Sequence, residues 1–162
     1  MVSGHSKDFC SLDLWVGIPG ISKTRVINRY KKLQKLYTIN NFDDCDELQQ
    51  KVLCRAEEVE KAKNNLCEKL FHDKTFIPIS DEEYDLIHLN GDFWDKSNLA
   101  KWKFVDAKKL IWQKNFSGAI VALKETLILN STIKGAYLIL FVLYLFSGKP
   151  HKALKWLWLL II

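Results

Sequence analysis

Three observations on this 162-residue sequence predict an all-α fold: an N-terminal helical hairpin followed by a helix-turn-helix solenoid fragment. The last third of the chain matches itself at a fixed period of 34 residues. Apolar residues recur at steps of three and four from about residue 46 to 71, the spacing of one helix face. Only seven Gly and three Pro interrupt the chain, which leaves long stretches able to remain helical. Nearly half the residues are apolar and 12% are aromatic, so the chain can bury a real core and is not a disordered one.

The start, Met1-Val2-Ser3-Gly4-His5-Ser6-Lys7, is polar and shows no apolar run behind a basic head. No secretory signal is read there, and a cytoplasmic location is expected, with nuclear or membrane-associated locations as alternatives. Trp15-Val16-Gly17-Ile18-Pro19-Gly20-Ile21 makes a turn, and Ser22 can cap a helix with apolar positions Val26, Ile27, Tyr30, Leu33, Leu36 and Tyr37. Its basic residues Lys23, Arg25, Arg29, Lys31, Lys32 and Lys35 lie largely around the other side. A loop with Asn40, Asn41, Asp43 and Asp44 leads to the longer helix, which carries Leu48, Val52, Ala56, Val59, Ala62, Leu66 and Leu70. Two amphipathic helices in sequence bury their stripes against each other, so residues 1–71 are expected to form a helical hairpin domain.

Residues 72–97 read as an acidic linker. Ile77 precedes a proline and is held extended or in a turn. Ser80 can cap a short helix over 81–89, Asn90-Gly91 signals a turn, and Tyr84, Phe93 and Trp94 are expected to dock the linker on its neighbours. The carboxylates at 81, 82, 83, 85, 92 and 95 lack the spacing of a calcium-binding loop.

The repeat occupies residues 98–162. Its matched apolar positions are Val105/Ile139, Leu110/Tyr144, Ile111/Leu145, Trp112/Phe146, Ala119/Ala153, Ile120/Leu154, Leu123/Leu157 and Leu127/Ile161. Ser97 is expected to cap a helix over 98–113, and Lys114-Asn115 turns the chain into a second helix over 116–129. In the next copy Ser147-Gly148-Lys149 makes the turn before Pro150, a residue suited to a first helical position. Ala119 and Ala153, each followed four residues on by a large apolar residue, sit where paired helices must approach closely. On these residues the segment resembles a tetratricopeptide repeat (TPR), one full unit and an incomplete second. It departs from the family at Lys103 and Tyr137, where the pattern has Trp, at Phe141, where it has a small residue, and at Ser131, where it has Pro.

Residues 8–71 carry a weaker resemblance, to a degenerate J-domain. It rests on Gly17-Ile18-Pro19-Gly20-Ile21-Ser22-Lys23, Val26, Tyr30-Lys31-Lys32-Leu33 and Tyr37, with Val59, Ala62 and Leu66 as the third helix. The family's His-Pro-Asp triplet is here Thr38-Ile39-Asn40, so the chaperone-ATPase stimulation that the triplet confers is not expected. The turn and basic helix over 17–35 are also similar to a helix-hairpin-helix DNA-binding motif, in which backbone N–H groups and a cation hold a phosphate. Ser22 in place of the second glycine makes a nucleic-acid partner the weaker expectation.

The net charge of +5 conceals an alternation. Residues 1–40 carry seven basic and two acidic side chains, residues 41–97 seven and fifteen, and residues 98–162 ten and two. This pattern suits either mutual attraction between segments or a basic repeat face for an acidic partner. Cys10, Cys45, Cys54 and Cys67 form no C-x-x-C pair, and with no histidine placed to complete a site they read as buried thiols. No phosphate loop, metal-binding helix or nucleophile motif is present, so neither an enzyme nor a cofactor is expected.

The function expected is protein–protein interaction, as an adaptor or co-chaperone-like scaffold holding a partner peptide or helix in the repeat groove. The groove residues are Lys101, Phe104, Lys108, Lys109 and Ile139. Phe104, Lys108 and Ile139 occupy the places where TPR domains that grip the C-terminal carboxylate of heat-shock proteins have Lys and Asn, so that clamp is not expected. Membrane association through residues 126–162 is the alternative, although the apolar run over 136–146 falls short of the roughly 20 residues a span requires. With no polar capping helix after it, the last helix is expected to expose Trp156, Trp158 and Leu159, available for self-association.

Overall fold

The computed structural model describes residues 2–14, 17, 19–89 and 91–161, the side chains of 2, 3, 39, 88, 89 and 91–93 lying outside that description. The expected turn residues Trp15, Val16, Ile18 and Asn90, the docking side chain of Phe93, and Ile162 therefore fall outside it. The chain is all-α in class. Its helices are α1 (Ser6–Ser11), α2 (Lys23–Leu36), α3 (Asp46–Asn65), α4 (Asp81–Leu89), α5 (Gly91–Trp112), α6 (Phe116–Leu129), α7 (Lys134–Phe146) and α8 (Pro150–Ile161). One short antiparallel pair joins β1 (Gly20–Ser22) to β2 (Phe76–Pro78), with Ile21 opposite Ile77.

The described chain divides into two compact units. The first comprises residues 1–37 and 53–95, the second 38–52 and 96–162. β2 and α4 belong to the first unit, while the loop after α2 and the first turns of α3 belong to the second. The stripe of α3 is shared accordingly, Leu48 and Val52 being buried in the second unit and Val59, Ala62 and Leu66 in the first.

In the first unit the Ser22 hydroxyl caps α2 by accepting the Arg25 N–H at 3.2 Å. Val26, Leu33 and Leu36 are buried on one face of that helix. α3 runs on as a π-helical stretch, Leu66–Leu70, and the Lys63 ammonium lies 5.4 Å from the Tyr30 ring of α2. The turn before α2 is spent on sheet pairing: the Lys23 N–H donates to the Thr75 carbonyl at 2.8 Å, and Ile79 N–H to the Pro19 carbonyl at 2.9 Å. Ser80 caps α4 through the Glu83 N–H at 3.3 Å.

In the second unit α5 begins at Gly91 rather than after Ser97, which is thus interior to the helix and no cap. Asp95 falls near its start, where a carboxylate favours the helix dipole. The 34-residue period is written into the backbone. The Gln113, Lys114 and Asn115 N–H groups donate to Lys109, Ile111 and Leu110. Shifted by one period, Ser147, Gly148 and Lys149 donate to Leu143, Leu145 and Tyr144. Each turn places one residue in the left-handed region, Lys114 at φ 59° and Gly148 at φ 68°. This is the 6→1 and 5→2 pattern that closes a helix by returning N–H groups to its last carbonyls. Ala119 and Ala153, one period apart, are both fully buried.

Candidate functional site

Along α5, Leu99, Trp102, Val105 and Trp112 are largely exposed, and along α7 so are Leu138, Val142, Leu145 and Phe146. Positions 138, 142 and 145 follow one helix face at steps of four and three. Trp112 and Phe146, equivalent by the period, are the extreme cases at 89% and 87% exposure. The helices meet at Gly135: a Cβ there would stand 2.9 Å from Cζ of Phe104, so only glycine leaves that ring its place. Of the expected groove residues, Phe104 and Ile139 are half-buried and Lys101, Lys108 and Lys109 are exposed. Lys108 stands over the Phe104 ring at 4.5 Å, and Lys109 is paired with Asp106 at 3.2 Å. Ile139 lies one turn beyond Gly135.

The exposed end is corrected. Trp158 is half exposed, but Trp156 and Leu159 are buried at 2% and 4%. The large apolar residues α8 presents to solvent are Leu154, Trp158 and Ile161. Trp156 is covered because Phe42, from the loop before α3, meets it edge-on at 6.1 Å and Tyr137 of α7 lies at the same distance.

That loop also completes a polar cluster not expected from the sequence. Lys124 of α6 is 1% exposed. Its ammonium donates to Asp44, stands 3.8 Å from Asp43, and is boxed by the rings of Tyr144 and Trp156 at 5.6 Å and Phe42 at 5.9 Å. The Tyr144 hydroxyl donates to Asp44 at 3.3 Å, and Lys152 of α8 donates to Asp43 at 2.7 Å. Burial pulls the Lys124 pKa below its ordinary value although both aspartates oppose the shift. Burial and the facing carboxylates push the Tyr144 phenol up. Asp43 is held below the usual carboxylate range, burial being outweighed by Lys152 and Lys124.

Beside this cluster Glu125 accepts from Lys51 at 2.6 Å and from Lys103 at 2.8 Å. Those bonds, opposing burial, hold its carboxyl below the ordinary value, and the bond to Glu125 raises Lys51 to about 12. The acidic 41–52 stretch thus answers the basic repeat within one unit, the mutual-attraction reading of the charge pattern. A pocket of about 210 Å³ opens over the cluster, lined by Asp43, Lys124, Tyr144, Lys152, Lys155 and Trp156 together with Asn40, Asn41 and His151.

The first unit has its own buried cation. Arg55, 7% exposed, donates to Asp13 at 3.1 Å and Glu58 at 2.8 Å, and Arg29 approaches Asp13 at 3.7 Å. Lys23 and Arg29 of the basic helix donate to the carbonyls of Phe71 and Leu12. With the Lys23 N–H also engaged by Thr75, both the backbone and the ammonium of Lys23 serve packing. Among the described residues no cluster of histidine, cysteine or carboxylate side chains is arranged to hold a metal ion. The cysteines are free thiols, and the expectation that all four are buried fails at Cys54, which is exposed, and at the half-buried Cys45 and Cys67.

Compared with known proteins, the chain matches no protein-family model, no curated protein and no solved structure. Among the described residues, no helix is long and apolar enough to cross a membrane. Sequence reasoning missed the Lys124 cluster because Asp43 and Asp44 read as loop residues and their partners lie some 80 or more positions away. The available signal was the adjacent aspartate pair together with a lysine following the apolar run Ala119–Leu123 of α6.

Proposed function

We propose that the chain is a non-enzymatic protein-interaction module, an adaptor or co-chaperone-like scaffold in the manner of TPR proteins, that docks a partner peptide or helix on α5 and α7. The observation that carries this reading is the run of exposed large apolar residues on both helices beside the exposed lysines Lys101 and Lys108. Exposed apolar area of this extent is unusual on a monomer unless it meets a partner. The duplicated helix-closing turn, one period apart, supports the TPR-like reading of the scaffold. An amphipathic segment with apolar anchors at helical spacing and flanking carboxylates is the complement of this face. Selection of a displayed peptide library against the whole chain is expected to enrich such segments. The double variant Leu138→Glu, Phe146→Glu should abolish their binding and leave the circular dichroism spectrum unchanged. Enriched peptides that bind the variant equally well would refute the docking face.

Membrane association through residues 126–162 is a second reading, favoured by the Leu154, Trp158 and Ile161 stripe beside Lys155. Co-sedimentation with anionic vesicles that disappears in Trp158→Lys would support it, and absence of co-sedimentation would remove it.

A further inference from the structure

We propose that the pocket over Lys124 is a binding site for a phosphate group, carried by inorganic phosphate or a small phosphate monoester. Its lining is rich in hydrogen-bond donors: three lysines, one histidine and two asparagine amides surround a single carboxylate, Asp43. That carboxylate already shows how the cradle holds an oxyanion, with one oxygen 2.7 Å from Lys152 and the other 3.8 Å from Lys124. Both lysines keep further N–H donors. Counting Asp44 behind the wall, three lysines face two carboxylates, and the surplus charge is that of Lys155. Lys155 and His151 stand exposed at the rim and pair with no carboxylate among the described residues.

Lys124 cannot turn to water and so contributes a fixed positive charge at the pocket floor, where low dielectric strengthens its field. A phosphate presents three acceptor oxygens, suited to donors arriving from Lys152, Lys155 and His151 on separate sides. The volume of about 210 Å³ equals roughly seven waters at about 30 Å³ each, room for a phosphate and a small ester substituent.

The test is an amide NMR titration of the whole chain at constant ionic strength, with inorganic phosphate, phenyl phosphate and benzoate as separate probes. Saturable shifts confined to residues 40–44 and 150–156 are expected with at least one phosphate probe, and the stronger of the two identifies the source. Lys155→Gln should weaken that binding about tenfold, as for loss of one partly exposed charge-assisted hydrogen bond, and Lys155→Arg should retain it. Lys101→Gln with Lys108→Gln, on the docking face, should leave it unchanged. No saturable shift with either phosphate, equal affinity for benzoate, or indifference to Lys155→Gln would each overturn the proposal.

Discussion

The two copies of the repeat share a backbone turn and differ in what covers their second helices. One period separates Lys124 from Trp158, yet the lysine is 1% exposed and the tryptophan 52%. Ile120 and Leu127 of α6 are buried, while their counterparts Leu154 and Ile161 of α8 are 60% and 75% exposed. For Lys124 and Trp158 intrinsic preference is the reverse, and for the Ile and Leu pairs it predicts no difference. Around α6, α7 packs alongside, and the Phe42-Asp43-Asp44 loop supplies one ring and both carboxylates that make a buried ammonium tolerable. Equivalent positions in a repeat therefore do not have equivalent environments, because the inner copy has a neighbour on a face that the outer copy leaves open.

The largest effect should come from breaking that cover. Asp44→Leu leaves Lys124 buried with only the longer contact to Asp43, and unfolding in urea should show a loss of about 3 kcal/mol. Lys124→Met removes the buried charge itself, and the partly exposed Asp44 can turn to water, so its cost should stay below about 1.5 kcal/mol. If Lys124→Met proves the more damaging of the two, the ammonium is a net stabiliser and the account of the inner copy is wrong.

The acid side of the stability curve comes next. Asp43 and Glu125 titrate below their ordinary values of 3.8 and 4.5, so each contributes stability that is present above the ordinary value. That contribution is lost as pH falls through the lowered one, because the unfolded chain binds the proton first. Urea midpoints measured from pH 6 downward should fall below about pH 4.5, less steeply in Glu125→Gln.

Smaller effects compare the turns and the open face. Lys114 adopts at φ 59° the conformation that Gly148 adopts at φ 68° in the other copy. Lys114→Gly relieves a left-handed side chain and should raise stability by roughly 0.5 to 1 kcal/mol, despite the greater freedom of glycine when unfolded. The reverse change, Gly148→Lys, should cost about as much. Trp158→Lys, on the open face, should change the urea midpoint least of all, by within about 0.5 kcal/mol.

Where signals are local, the sequence was readable. The Ser22 and Ser80 caps, the helix start at Pro150 and the turns at 113–115 and 147–149 involve partners a few residues apart. Ser97 misled because a capping residue describes only a possible start, and α5 begins earlier, at Gly91. On the proposed docking face the repeat register had placed Phe104, Lys108 and Ile139, of which the structure leaves Lys108 exposed and the other two half-buried. Trp112 and Phe146 were read as matched apolar positions, and such a match does not say which side of a helix is covered.

By itself the sequence determined the helical class, the 34-residue period and the local devices that begin and end helices, since these follow from side chains within one or two turns of each other. Only the tertiary structure decided that Lys124, Tyr144 and Lys152 meet Asp43 and Asp44 across 80, 100 and 109 residues of chain. No periodicity encodes contacts so distant. A lysine becomes an interior residue only when the fold brings it a carboxylate and excludes water from both.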